Sequence, residues 1–170
     1  MLGVLSGMAA PVMMLLVPFI NALCTVLLPN IAGARAAGDK AALKRRIRKA
    51  LLVTGIFAVP VTAALMPFVP RICRAIFGQS IHPTLALCLA VHTAIAYFLA
   101  VSISILNGMG EQKWVFRYAV LGEGLQLTLI WFLAAVPELN VYGYLFGMIV
   151  GDSLRLLCNL RRVRLAVFRN

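Results

Sequence analysis

Charged positions in this chain fall in bands separated by long apolar stretches. Residues 1–34 hold no charged side chain, and neither do residues 50–70. Between them stand Arg35, Lys40, Lys44, Arg45, Arg46, Arg48 and Lys49, against a single acid, Asp39. Two apolar spans flanking a strongly basic turn form the pattern of a membrane hairpin whose loop, residues 35–49, faces the cytoplasm. Extended along the chain, the pattern predicts five membrane helices, at about residues 4–33, 40–70, 84–107, 114–136 and 141–162. The expected fold class is all-α, a polytopic helix bundle forming a single membrane domain over residues 1–170.

The punctuation between the spans is local chemistry. Pro11, Pro18 and Pro29 lie in the first span, and each removes a backbone donor, so a bent helix is expected there. Gly33 to Gly38 is a turn, and Asp39 is placed to cap the second helix. Leu43, Ile47 and Leu51 recur four apart, an apolar stripe among the bases. Pro60 and Pro67 lie in the outer half of the second span, followed by Arg71, Arg74 and the connection Phe77-Gly78-Gln79-Ser80. The third span carries no Asp, Glu, Lys or Arg, and one histidine, His92. A glycine-bearing turn at 107–113 leads to a less apolar fourth span with Arg117, Glu123 and Gln126. After Pro137-Glu138-Leu139-Asn140, the fifth span holds Gly143, Gly147 and Gly151. Glycine at every fourth position lets another helix backbone approach closely. Arg155 stands one step further along that stripe, with Asp152 three residues before it.

Composition narrows the reading. A chain of 170 residues that is 62% hydrophobic and 12% charged has too much surface for a soluble globule. The net charge of +11 would suggest nucleic acid in a soluble protein. Here the bases sit at the ends of apolar spans, as topology signals and contacts to membrane lipids do, and no nucleic-acid partner is expected. Counting Lys and Arg, the turn after the first span has seven. The turn after the third adds Lys113 and Arg117, and the C-terminal part adds five, from Arg155 into the tail at 161–170. The opposite side has only Arg71 and Arg74. The positive-inside rule puts the first group in the cytoplasm, with the N-terminus outside and the C-terminus inside. Residues 1–34 lack the basic segment of a signal peptide, and the first span reads as a helix entered from outside.

Candidate chemistry is sparse. Cys24, Cys73, Cys88 and Cys158 form no C-x-x-C pair, His82 and His92 have no ligand-spaced neighbours, and no metal or cofactor is assigned. No nucleophile, zinc or phosphate-loop motif occurs, so the chain reads as a non-enzyme. Glu123 and Gln126, three apart, face one side of the fourth helix. An intramembrane carboxylate is either a proton or sodium site facing a cavity or the partner of an arginine in bundle assembly. Asp152 and Arg155 read as a structural pair. The basic turn, with Arg45, Arg46 and Arg48, either binds phosphate of a lipid or substrate or is a positive-inside anchor.

Several stretches resemble one family in order. Gly7-Met8-Ala9-Ala10-Pro11, Val17-Pro18-Phe19 and Leu27-Leu28-Pro29-Asn30-Ile31 resemble a helix in the second lobe of stage V sporulation protein B-like polysaccharide transporters. Ala36-Ala37-Gly38-Asp39 and the basic run into Ala50-Leu51 resemble the loop that follows. Ile76-Phe77-Gly78, Ile105-Leu106-Asn107-Gly108-Met109-Gly110 and Val141-Tyr142-Gly143 resemble later turns. The resemblance implies kinship with lipid II flippases, in the superfamily that includes multidrug and toxin extruders. It implies two lobes of six helices that move a lipid-linked glycan across the bacterial cytoplasmic membrane by alternating access. The five spans then look like the eighth to twelfth helices, part of the second lobe, with a first lobe or partner subunit required. Lipid II flippases carry an arginine in the helix matching 4–33, where this chain has none. Gln126 stands where sporulation-type relatives often have lysine. On this resemblance Asn21 in the first helix and the three arginines face the substrate headgroup; Glu123 with Gln126 is the candidate cation-coupling site, and the one a drug extruder would use. Two alternatives stay open: a cation-coupled drug extruder, and a non-transporting half that pairs with a separate partner.

Overall fold

A computed structural model describes residues 17–78, 82–136 and 140–168 of the chain. Within them are six helices and no strand: α1 (Val17–Ala36), α2 (Lys40–Leu65), α3 (Val69–Phe77), α4 (Pro83–Gly108), α5 (Gln112–Ala134) and α6 (Asn140–Phe168). The first half of the expected first span, with Pro11, lies outside the described residues, as do Pro137 to Leu139 and the end of the tail.

Four helices, α1, α2, α4 and α6, are long and apolar enough to cross a membrane. The chain is therefore a multi-pass membrane bundle. Helix α5, which carries Arg117 and Glu123, is not among the four, where five spans are expected from the sequence.

Each boundary has a chemical cause. Gly38 adopts φ 67°, a left-handed turn that a side chain would strain. Next to it the Asp39 carboxylate accepts from the Ala42 amide at 2.8 Å, capping α2. The expected second helix to Pro70 is corrected: α2 ends at Leu65. Pro67 has no N–H to continue the ladder, and the chain restarts as α3 with Pro70 in its first turn, where that N–H has no helical partner anyway. Nine residues make α3 about 13 Å long, too short to span. It docks instead, burying Val69 and Cys73 completely against Leu89, Ala90, Val141 and Leu145 while Arg71 and Arg74 stay exposed. The last helix runs past the expected end at 162 to Phe168, because no glycine or proline interrupts its arginines and leucines.

Helix α4 is the centre of the bundle. Half of its apolar window is buried, against 22% for α1, 28% for α2 and 33% for α6. On one side α1 comes close enough that a Cβ at Gly108 would lie 2.9 Å from the Leu28 carbonyl oxygen. There Ser104 donates to the Cys24 carbonyl at 2.9 Å. Helix α2 packs through Leu43, Ile47, Ala50, Thr54, Ala58 and Thr62, one stripe of steps of three and four. Its threonines donate back to their own helix (Thr54 to Ala50, Thr62 to Ala58), so no hydroxyl is left unmet in an apolar setting. On the other side of α4 lies α6, and α5 packs along α6.

Candidate functional site

The polar groups of the bundle interior converge on one face of α6. Asp152, Arg155, Asn159 and Arg162 follow at steps of three, four and three, which a helix turns into a single stripe. Opposite each stands a partner from α4, from α5 or from the turn between them.

Asp152 is buried and accepts at 3.1 Å from His92 Nε2, on α4. Its other oxygen faces Arg155 Nη1 at 3.3 Å, the expected i, i+3 pair. The same Nη1 donates to Glu123 Oε1, on α5, at 2.5 Å. Three helices are thus joined by one continuous line, His92–Asp152–Arg155–Glu123. Three of these side chains are well covered, at 10% (His92), 11% (Asp152) and 14% (Arg155) exposure, whereas Glu123 is 52% exposed.

One turn along α6, Asn159 donates to Ser102 Oγ at 3.1 Å, and Ser102 donates to the Leu99 carbonyl at 2.7 Å. A further turn on, Arg162 makes two bonds to Glu111 Oε2, at 2.6 and 3.0 Å, and its guanidinium stands 4.4 Å from the Trp114 ring centre. Two buried acceptors meet no donor among the described residues, Gln126 Oε1 and Asn159 Oδ1.

The glycine stripe is the other half of this face. A Cβ at Gly143 would lie 2.6 Å from the Leu133 carbonyl oxygen. One at Gly147 would lie 2.7 Å from Ile130, and one at Gly151 would lie 2.7 Å from the Cβ of Gln126. Gly122 of α5 reciprocates, since the Arg155 stem occupies the space its Cβ would take. The pairs 143 with 133, 147 with 130, 151 with 126 and 155 with 122 run in one antiparallel register. That close fit brings the Arg155 guanidinium down onto Glu123.

Arg71 and Arg74 of α3 stand apart, and most of the basic residues gather at one end. There Arg35 donates to the Ala166 carbonyl at 3.3 Å, tying the first turn to the last helical turn of α6. Arg46 donates to the Asn30 carbonyl on α1. The three expected headgroup arginines do not form a cluster. All are exposed, but Arg46 flanks the α1 side of α2, with Lys49, and Arg48 flanks the α6 side, with Lys44 and Arg164. Asn21 is exposed on α1, fifteen residues from the helix end at Ala36, or about 22 Å along the axis. It is not brought together with the arginines.

Sequence reasoning missed His92, Glu111, Ser102 and Asn159, each of which has its partner on another helix. The signal that could have found them is the stripe on α6, which continues the glycine spacing into Asp152, Arg155, Asn159 and Arg162. Among the described residues, no group of three His, Cys, Asp or Glu side chains is placed to hold a metal ion.

One family of known proteins matches the chain, described as MurJ, lipid II flippase MurJ, over residues 4–109. The match covers α1 to α4 and stops before α5, so His92 falls inside it and Glu123, Asp152 and Arg155 fall outside. No curated protein and no solved structure matches.

Proposed function

The chain belongs to the lipid II flippase MurJ family, and from that premise we propose that it forms part of a transporter for a lipid-linked glycan precursor. The cargo is of the polysaccharide or peptidoglycan type, carried across the bacterial cytoplasmic membrane by alternating access. Members of this family are transporters and not enzymes. The family match over residues 4–109 is the observation that carries the reading.

The bundle supports it in three ways. First, α5 serves as a fifth span. Its 23 residues reach about 34 Å, and Phe116, Leu121, Leu127 and Trp131 point outward as a lipid-facing surface would. Second, the end that holds the basic turn and the C-terminal turns of α6 lies in the cytoplasm, since Lys and Arg mark that side. Arg45, Arg46 and Arg48 draw the diphosphate head of the cargo to that end. Third, Glu123 sits midway along α5 and half of it is uncovered. A carboxylate at that depth cannot face lipid cheaply, so its open side meets more protein or a water-filled cavity. We assign that side to the first lobe or partner subunit, against which this bundle rocks. Asn21 lines a wall of the transport cavity from α1. In the drug-extruder alternative, Glu123 with Gln126 is the coupling site, with the Glu123 oxygen not held by Arg155 open to the cation.

The test is an export assay in cells. Neutralising Arg45, Arg46 and Arg48 together is expected to reduce glycan-lipid export while membrane insertion is unchanged. Normal export in that variant would remove the headgroup role. Loss of the whole protein should trap the lipid-linked glycan on the cytoplasmic leaflet. An unchanged leaflet distribution, with Glu123-dependent resistance to cationic drugs instead, would turn the reading to drug extrusion.

A further inference from the structure

We infer that the groove between α2 and α6 at the basic end holds an anionic phospholipid of the surrounding leaflet, with its phosphate against Arg48 and Arg164. The site does not rest on the transport reading; where it holds, Arg48 serves this phospholipid and Arg45 and Arg46 are left to draw the cargo head. Helices α2 and α6 meet only sparsely, and about 490 Å³ stays open between them. The walls are two-faced. Lys44, Arg48 and Arg164 supply cations at the rim, and Ile47, Leu51 and Val163 line the apolar floor.

The register of α2 gives the groove a direction. Lys44 and Arg48 lie one turn apart, and Leu51 and Leu52 follow about a turn further into the span, so charge sits at the mouth and hydrocarbon runs inward. That is the order of groups in a phospholipid entering from the leaflet, head outermost. No acidic residue lines the groove, and among the described residues neither Arg48 nor Arg164 is paired with a carboxylate. Leu52, at 53% exposure, opens the floor sideways to the bilayer. The neighbouring groove between α1 and α2, with Arg46 and Lys49, is a poorer candidate. It is smaller, about 310 Å³, and Arg46 already donates to the Asn30 carbonyl. Two arginines presenting several N–H donors suit a phosphate, and the pull of basic side chains on anionic lipid is additive near the surface.

The test uses the purified 170-residue chain in detergent micelles, titrated with palmitoyl-oleoyl phosphatidylglycerol, with bound lipid counted by native mass spectrometry. Phosphatidylglycerol should be retained and phosphatidylcholine of the same chains should not. The double variant R48Q/R164Q should lose phosphatidylglycerol affinity by about tenfold or more. L52W, which blocks the floor and leaves every charge in place, should lose it as well. K113Q/R161Q removes as much charge from the same end outside the groove and should bind as the parent does. Equal losses in K113Q/R161Q and R48Q/R164Q would overturn the site in favour of diffuse attraction. Displacement by inorganic phosphate alone would mean a simple anion site, and displacement by a polyprenyl diphosphate at equal concentration would mean a cargo site; either overturns the proposal. So would a dimer with no bound lipid. Failure of L52W to fold leaves the decision with R48Q/R164Q and K113Q/R161Q, whose side chains are all exposed or half-buried at the helix surface.

Discussion

Asp152 is the residue on which the interior depends, because among the described residues it alone bonds both His92 and Arg155. Removing one partner of a buried charged pair leaves the other desolvated and uncompensated, at a cost of about 3 kcal/mol or more. D152A should therefore lower the thermal unfolding midpoint sharply in detergent, and D152N, which keeps hydrogen-bonding capacity, should lie between it and the parent. E123Q removes a half-exposed partner of the same arginine and should cost less, about 1 kcal/mol or below. A midpoint for E123Q as low as that for D152A would mean that Glu123, not Asp152, holds Arg155. These side chains also mark where the sequence is legible and where it is not. The Asp39 cap, the Asp152–Arg155 pair and the glycine spacing are visible because every partner lies within a few positions on one helix. His92 with Asp152, and Glu111 with Arg162, are separated by 60 and 51 residues and meet only through the packing of α4 and α5 on α6. A lone histidine in an apolar run gives no hint of such a partner.

At the scale of elements, the α5–α6 contact is a close backbone fit continued by an ion pair. A leucine at Gly143 would drive its side chain into the Leu133 carbonyl, where no rotamer can yield, and a leucine at Gly147 would meet Ile130. Either should destabilise by about 1–3 kcal/mol, read as a lower unfolding midpoint. Alanine at Gly33, where a Cβ meets nothing within 4 Å, should not. The break at Met66 to Phe68 is the element that hydrophobic patterning cannot locate. No charged residue interrupts Ala50 to Pro70, and Pro60 lies inside α2 without ending it, so the pattern does not mark Pro67 as the point where a long span gives way to a docked short helix. Helix α3 carries its own reporter. Cys73 is fully buried and burial pushes its thiol up, so little thiolate forms at neutral pH. A water-soluble alkylating reagent should leave Cys73 unmodified at pH 7, and labelling should rise as pH increases toward the raised value or as α3 undocks. Rapid labelling at pH 7 would show that α3 is not seated.

At the scale of the whole molecule, the bundle is two sets of helices meeting on α4, with α1 and α2 on one side and α5 and α6 on the other. The sides meet sparsely at the basic end, where the Arg35 bond to the Ala166 carbonyl is one of few ties. R35A should weaken that tie by about 1 kcal/mol and leave the interior intact. Amide hydrogen exchange in the last turns of α6 should quicken, while exchange near Asp152 stays slow. Faster exchange at both places would mean that the two sides unfold as one. The docking of α3 beneath α4 has a further consequence. With α3 docked near the start of α4 and the basic turn near its end, α4 stretches over 26 residues, about 39 Å, between two groups of exposed basic side chains that each prefer the headgroup layer. A hydrocarbon slab is about 30 Å thick on average, so the molecule is a fixed rod pinned at both ends in a softer sheet. Bilayers assembled from longer acyl chains should stabilise it and thin ones should tilt it. Lipid chain length then becomes a variable that acts on the protein with no change in chemistry at any residue.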